Sequence, residues 1–216
     1  MRNFHKILGL LILMGLSAGC SKDGNILLLP PSGLVNGGFE YGDHTGWDHA
    51  GDTRIIRALD TLPPFHGRYM ALLTTGMDPD QNFGNLSQTF MVKEGHNYLT
   101  FSWNLIFENF PAQLTHQPQD YFRVTIASEN KQEQMLLLLN ASITAFQFGA
   151  TDQSTGDLQP VSTEIYSNAF MTGWQQTTIA IFPYQGEEVT ILFEAVGREQ
   201  SEFGIGVMVD EVGVKK

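Results

Sequence analysis

The sequence has 216 residues, 42% hydrophobic, 11% aromatic and only 16% charged, enough apolar material for one sizeable core and too much for a disordered chain. Its 23 acidic residues against 12 basic ones give a net charge of −11, which repels polyanions and excludes nucleic acid as a partner. Twenty-two glycines and 15 phenylalanines favour turns and pleated surfaces over long helices.

Residues 1–19 read as a leader. Arg2 and Lys6 precede the apolar run Ile7 to Leu16, which is too short to cross a bilayer by itself. Ser17, Ala18 and Gly19 then lead into Cys20, the only cysteine, so an intrachain disulfide is excluded. Loss of the leader removes Arg2 and Lys6, leaving ten basic against 23 acidic residues and a net charge of −13. Residues 20–33 form a tether stiffened by Pro30 and Pro31. Within it, Ile26 to Leu29 reads either as tether or as a first edge strand.

One domain follows, residues 34–216, and it is a succession of strands. In "YLTFSWNLIF", Leu99, Phe101, Trp103, Leu105 and Phe107 share one face while Thr100, Ser102 and Asn104 share the other. In "YFRVTIAS", Phe122, Val124 and Ile126 point inward and Tyr121, Arg123 and Thr125 outward; "VTILFEAV" aligns Val189, Ile191, Phe193 and Ala195. A period of two over such lengths predicts half-buried antiparallel strands. "RYMALLTT", "NLSQTFMV", "EQMLLLLN", "QQTTIAIF" and "GIGVMVDEVGV" are further strands, with Glu94-Gly95, Gln185-Gly186 and Gly204 as turns. "MLLLLNASITAF" is also readable as a short helix. No strand period runs through Glu108 to Asp120 or Asn140 to Gly173, and loops of that length are where ligands are usually held.

Two resemblances bear on address and fold. "SAGC" behind the apolar run resembles the lipobox of bacterial lipoproteins, in which the cysteine is acylated and becomes the mature N-terminus. That resemblance implies lipidation at Cys20 and a membrane-anchored protein of the bacterial cell envelope; Ser21 in the following position favours the outer membrane. "LVNGGFEYGDHTGW" resembles the opening of carbohydrate-binding-module jelly rolls and their galactose-binding-like relatives. "HGRYMALL", "NLSQTFMVKEGHNYLTFSW", "TGWQQTTIAIFPYQGEEVTILFEAVG" and the terminal "VDEVGV" resemble their later strands in order. The implied fold is all-β, an antiparallel β-sandwich of the jelly-roll, galactose-binding-like type behind an N-terminal signal segment. The resemblance also implies that the first and last strands lie side by side, bringing Glu40 to Asp210. Many such jelly rolls hold a structural calcium ion there, with a backbone carbonyl near Arg68 as a further ligand. Asp210 lies in the apolar run "GVMVDEVGV", where a carboxylate must be paired, hydrogen-bonded, protonated or bound to a cation. Oxygen ligands of this kind suit calcium.

Asp43, His44, Asp48, His49 and Asp52 crowd one stretch, but such spacing is equally that of a polar loop. Trp47 and Trp103 read as core. No nucleophile elbow, His-Glu-x-x-His pair or phosphate loop is present; Glu108 and Asp120 flank one loop as a candidate carboxylate pair of glycosidase type, with no distance in space fixed by their separation in sequence. The expected function is therefore a membrane-anchored, non-catalytic binding or adhesion module whose partner is a carbohydrate or an envelope protein. The alternatives are a structural or assembly lipoprotein and, third, a polysaccharide-active enzyme. Aromatic residues outside clear core positions decide between the first two, since sugars stack on exposed rings: Tyr121, Phe146, Phe148, Tyr166 and Phe170 are the candidate contacts.

Overall fold

The computed structural model describes residues 33–75, 81–115, 119–151, 153–163, 166, 168–198 and 204–216. The leader, Cys20 and the alternative edge strand at Ile26 to Leu29 lie outside them. The alternating runs become long strands: β1 (Asp48–Gly51), β2 (Thr53–Ile56), β3 (Met70–Thr74), β4 (Phe83–Met91), β5 (Tyr98–Glu108), β6 (Tyr121–Ser128) and β7 (Lys131–Asn140). The helix α1 (Ala141–Gln147) follows, then β8 (Gln159–Val161), β9 (Ala169–Met171), β10 (Gln175–Ala180), β11 (Glu188–Val196) and β12 (Ile205–Lys215). Strand and helix divide the ambiguous stretch between them. The strand runs through Asn140, whose side chain then caps α1 by accepting the Ile143 N–H at 2.9 Å.

Two antiparallel sheets form a sandwich. One has the order β1-β4-β11-β6-β7; the other runs β2-β3-β12-β5-β9-β8, with β10 also paired to β5. The inward rows are those that the alternation picks out. Leu99, Phe101, Trp103, Leu105 and Phe107 of β5 meet Phe122, Val124 and Ile126 of β6 and Val189, Ile191, Phe193 and Ala195 of β11 in one buried cluster. Phe101 and Phe193 meet edge to face with centroids 5.2 Å apart across the two sheets.

The outer face of the second sheet departs from the expected half-buried pattern. Thr100, Ser102 and Asn104 are buried, at 8%, 1% and 2% exposure. Met70, Leu72, Ile106 and Met208 make this outer face apolar as well, and Leu59, Tyr166 and Ala169 close over it as a second cluster. A sheet apolar on both faces must be covered on both, and Tyr166 and Ala169 of the long stretch without strand period supply part of that cover beside Leu59.

The opening segment is not a strand. Residues 34–47 run as turns pinned to the sandwich: Val35 exchanges both backbone groups with the Gln88 amide, and Val212 donates its N–H to Gly37 O at 2.9 Å. A Cβ at Gly37 would lie 1.8 Å from Val212 O, so the backbone approaches β12 as closely as only glycine permits. Trp47 is buried against Phe39 and Phe193 and donates Nε1–H to Asn36 O at 3.1 Å.

Candidate functional site

Two places gather the polar chemistry. The first is where the opening segment meets β12. Asp210 pairs across the ladder with Ser102 of β5, and the register then shifts before Gly213. That bulge leaves Asp210 with no exposure and turns Glu211 out to solvent. Asp210 Oδ2 accepts the His66 N–H at 3.0 Å and Oδ1 the Glu211 N–H at 2.7 Å. Glu40, on the exposed rim, accepts the N–H groups of Arg68 and Tyr69 on Oε1 at 2.8 and 3.1 Å. The 66–69 turn is thus clamped between two carboxylates through backbone amides. At Arg68 it is the N–H that faces Glu40, with the guanidinium Nε 3.9 Å from Oε2.

Burial pushes the Asp210 carboxyl up to about 7, helped by the charges of Glu211 and Glu40 and opposed by the two backbone N–H donors. The Arg68 backbone N–H holds Glu40 below its ordinary value despite some desolvation. Gly38 lies among the three acids: a Cβ there would be 3.2 Å from Glu211 Oε1, 3.8 Å from Glu40 Cγ and 3.9 Å from Asp210 Oδ1. The donors are hard oxygens, and among the described residues the buried Asp210 forms no ion pair, His66 and Arg68 lying instead against Glu211 and Glu40. That chemistry fits calcium. Among the described residues no group of three or more His, Cys, Asp or Glu side chains is arranged to hold a metal ion, so two side chains plus backbone oxygen is the most this place offers.

The histidine-rich stretch is structural. His44 stacks on His49 with ring centroids 3.7 Å apart, Asp43 Oδ1 accepts the Thr45 N–H, and buried Asp52 is shared by Arg54 and Thr74. The loop carboxylates are also occupied. Asp120 accepts from Thr75 Oγ1–H at 2.5 Å and from Arg198 N–H at 2.9 Å, while Glu108 Oε2 accepts the Gly204 N–H.

The second place is a cleft of about 360 Å³ on the outer side of β6 and β7, lined by Gln119, Tyr121, Arg123, Met135, Leu138, Asn140 and Arg198. The alternation of β6 puts Tyr121 and Arg123 outward, and the ladder places Asn140 and Leu138 of β7 opposite them. The Arg198 guanidinium lies 4.7 Å from the Tyr121 ring centroid, and Arg123 Nε–H reaches Glu194 Oε2 at 2.5 Å. Met135 is 56% exposed, leaving an apolar lip beside these groups.

The five aromatic candidates separate. Tyr121 is in the cleft, and Phe146 is 89% exposed on α1. Phe148 and Phe170 pack against the main core from partly buried positions. Tyr166 is placed differently: it is 2% exposed, and its hydroxyl donates to Ile205 O at 2.9 Å, so in this structure it roofs the second sheet and does not line the cleft. Met135, Asn140 and Arg198 escape a reading by aromatic type, although the outward phase of β6 pointed at the face they share.

No family model matches the chain, and no curated protein does. Among solved structures, it is similar to a family 61 carbohydrate-binding module in complex with β-1,4-galactotriose, at 13% identity over 85% of this chain and 99% of that one, TM-score 0.49. It is likewise similar to a non-crystalline cellulose specific carbohydrate-binding module of family 28, at 16% identity over 87% and 97%, TM-score 0.45. A third is the K1 cleaved adhesin domain of Lys-gingipain from Porphyromonas gingivalis W83, at 14% identity over 82% and 95%, TM-score 0.46. Likeness at this level assigns no ligand. The class that the fold itself defines is an antiparallel β-sandwich.

Proposed function

We propose that this protein is a membrane-tethered, non-catalytic carbohydrate-binding module that holds saccharide in the Tyr121 cleft. The observation that carries it is the composition of that cleft: an aromatic ring, a flexible apolar lip at Met135 and several polar side chains around one open concavity. Sugars present apolar C–H faces and hydroxyl edges together, and such a surface meets both. Binding alone is the activity, because the loop carboxylates Glu108 and Asp120 are tied to backbone amides and Thr75. Tyr121→Ala should weaken retention on the preferred immobilised polysaccharide about five- to tenfold, by loss of one aromatic contact of roughly 1–1.5 kcal/mol, with an unchanged melting temperature. Equal retention by the variant would remove the cleft from the reading.

Anchoring belongs to the same proposal. Acylation at Cys20 would hold the domain at the outer membrane, since more than one acyl chain gives stable attachment. Cys20→Ala should abolish fatty-acid labelling and move the protein to the soluble fraction; unaltered labelling refutes the anchor. Calcium completes it. Glu40 and Asp210, with a backbone carbonyl of the Arg68 turn, would hold the ion, which would neutralise buried negative charge and brace the opening segment against β12.

A further inference from the structure

We propose that the Tyr121 cleft selects acidic saccharides, reading a carboxylate such as that of a hexuronic residue through Arg198. The inference rests on the cleft being a carbohydrate site, and adds the class of sugar. It follows from which polar valences of the lining remain unspent.

Gln119 is used at both ends, its Nε2–H on Gln113 O at 2.7 Å and its Oε1 on the Ser142 N–H at 3.2 Å. Asn140 has committed its oxygen to the helix cap, which leaves only its Nδ2 donor. Arg123 spends Nε–H on Glu194 and retains its outer N–H groups. Arg198 is exposed, and among the described residues no carboxylate forms an ion pair with its guanidinium. Its Cζ lies over the Tyr121 ring, 4.7 Å from the centroid, a contact that engages the face of a guanidinium and not its edge donors. Among the described residues the lining contains no Asp or Glu. The unspent valences are therefore nearly all donors, with the Tyr121 hydroxyl the one group able to play both parts.

A neutral sugar offers hydroxyls that donate as readily as they accept, and half of that capacity would meet no acceptor here. A carboxylate is acceptor-only and planar, so a guanidinium edge engages both its oxygens. The setting sharpens the point. In a chain with 12 Lys and Arg against 23 acidic residues, two arginines converge on one cleft, and among the described residues the guanidinium of one of them pairs with no carboxylate.

The test is isothermal titration of the full-length chain in detergent micelles with three trisaccharides of one backbone: the uronate, its methyl ester and a sulfate ester. The uronate should bind roughly tenfold or more tighter than its methyl ester, as expected for loss of a charge-assisted hydrogen bond. Arg198→Gln should bring that ratio close to one, and Arg198→Lys, which keeps the charge but loses the fork, should restore it only in part. Equal affinity for uronate and methyl ester overturns the selectivity while leaving carbohydrate binding intact. A sulfate ester that matches the uronate overturns the carboxylate assignment in favour of charge alone. Failure of all three ligands, together with failure of every neutral polysaccharide, removes the carbohydrate reading and the selectivity with it.

Discussion

With both oxygens of Asp210 held by the N–H groups of His66 and Glu211, the side chain is anchored in either protonation state, since a protonated carboxyl still accepts at both oxygens. Its charge is another matter. The folded-state value of about 7 stands above the ordinary 3.8, so the native state keeps a proton that the unfolded chain has already released. That contribution to stability is complete below about pH 4 and is lost as pH rises through 7. In chelator, the melting temperature should therefore fall between pH 5 and pH 8. Asp210→Asn should flatten that fall yet lower stability at pH 5, because its amide NH₂ would confront one of the two backbone donors, a cost of about 1–3 kcal/mol. Calcium at a hundredfold excess over its dissociation constant adds about 2.7 kcal/mol to the native state. At pH 8 it should raise the melting temperature by roughly 5–10 °C; identical curves in calcium and chelator would dismiss the ion. The apolar neighbours of Asp210 were enough to mark it in the sequence as a carboxylate in need of compensation. Its backbone partners were not legible, because His66 lies 144 positions away and a peptide N–H leaves no trace in residue type.

Among the elements, β5 shows what alternation reveals and what it hides. Its large apolar residues gave the inward row without ambiguity, as did those of β6 and β11, since period two is a direct consequence of the pleat. Its other row, polar or small apart from Ile106, looked like a solvent face. Two facts placed elsewhere make it interior: Met70, Leu72 and Met208 on neighbouring strands, and a cover that includes Leu59, Tyr166 and Ala169 of β9. Strands of three residues, such as β8 and β9, are too short to display a period, so neither the cover nor the burial of Tyr166 within it is legible in the sequence. The cleft suffered the reverse: the outward phase of β6 was visible, but Arg198 joins it through folding alone. Tyr166 gives the element-scale prediction. Tyr166→Phe should cost about 1 kcal/mol, the worth of one buried hydrogen bond, read as a lower denaturant midpoint at unchanged slope, with saccharide retention unaffected. Weakened binding at full stability would return Tyr166 to the ligand site.

At the scale of the molecule, the cleft and its carrier oppose one another. The chain carries a net charge of −11, so an approaching acidic saccharide meets net repulsion before it meets Arg198. The repulsion is long-range and acts between exposed charges, so it reaches about 30 Å at 0.01 M salt but only about 8 Å at 0.15 M. The attraction is a short contact at a stacked guanidinium, and salt weakens it less. The association rate of an oligouronate should therefore rise between 10 and 150 mM salt, the opposite of the trend for an electrostatically steered pair. The dissociation rate should increase more modestly over the same range, since it reports on the contact rather than the approach. Arg198→Gln should act mainly on dissociation, because one charge in so acidic a body changes the far field little. Stopped-flow or surface-plasmon kinetics across that salt range would separate the two rates. An association rate that falls steeply with salt would mean that the local field of Arg123 and Arg198 in the cleft, and not the net charge, governs the approach.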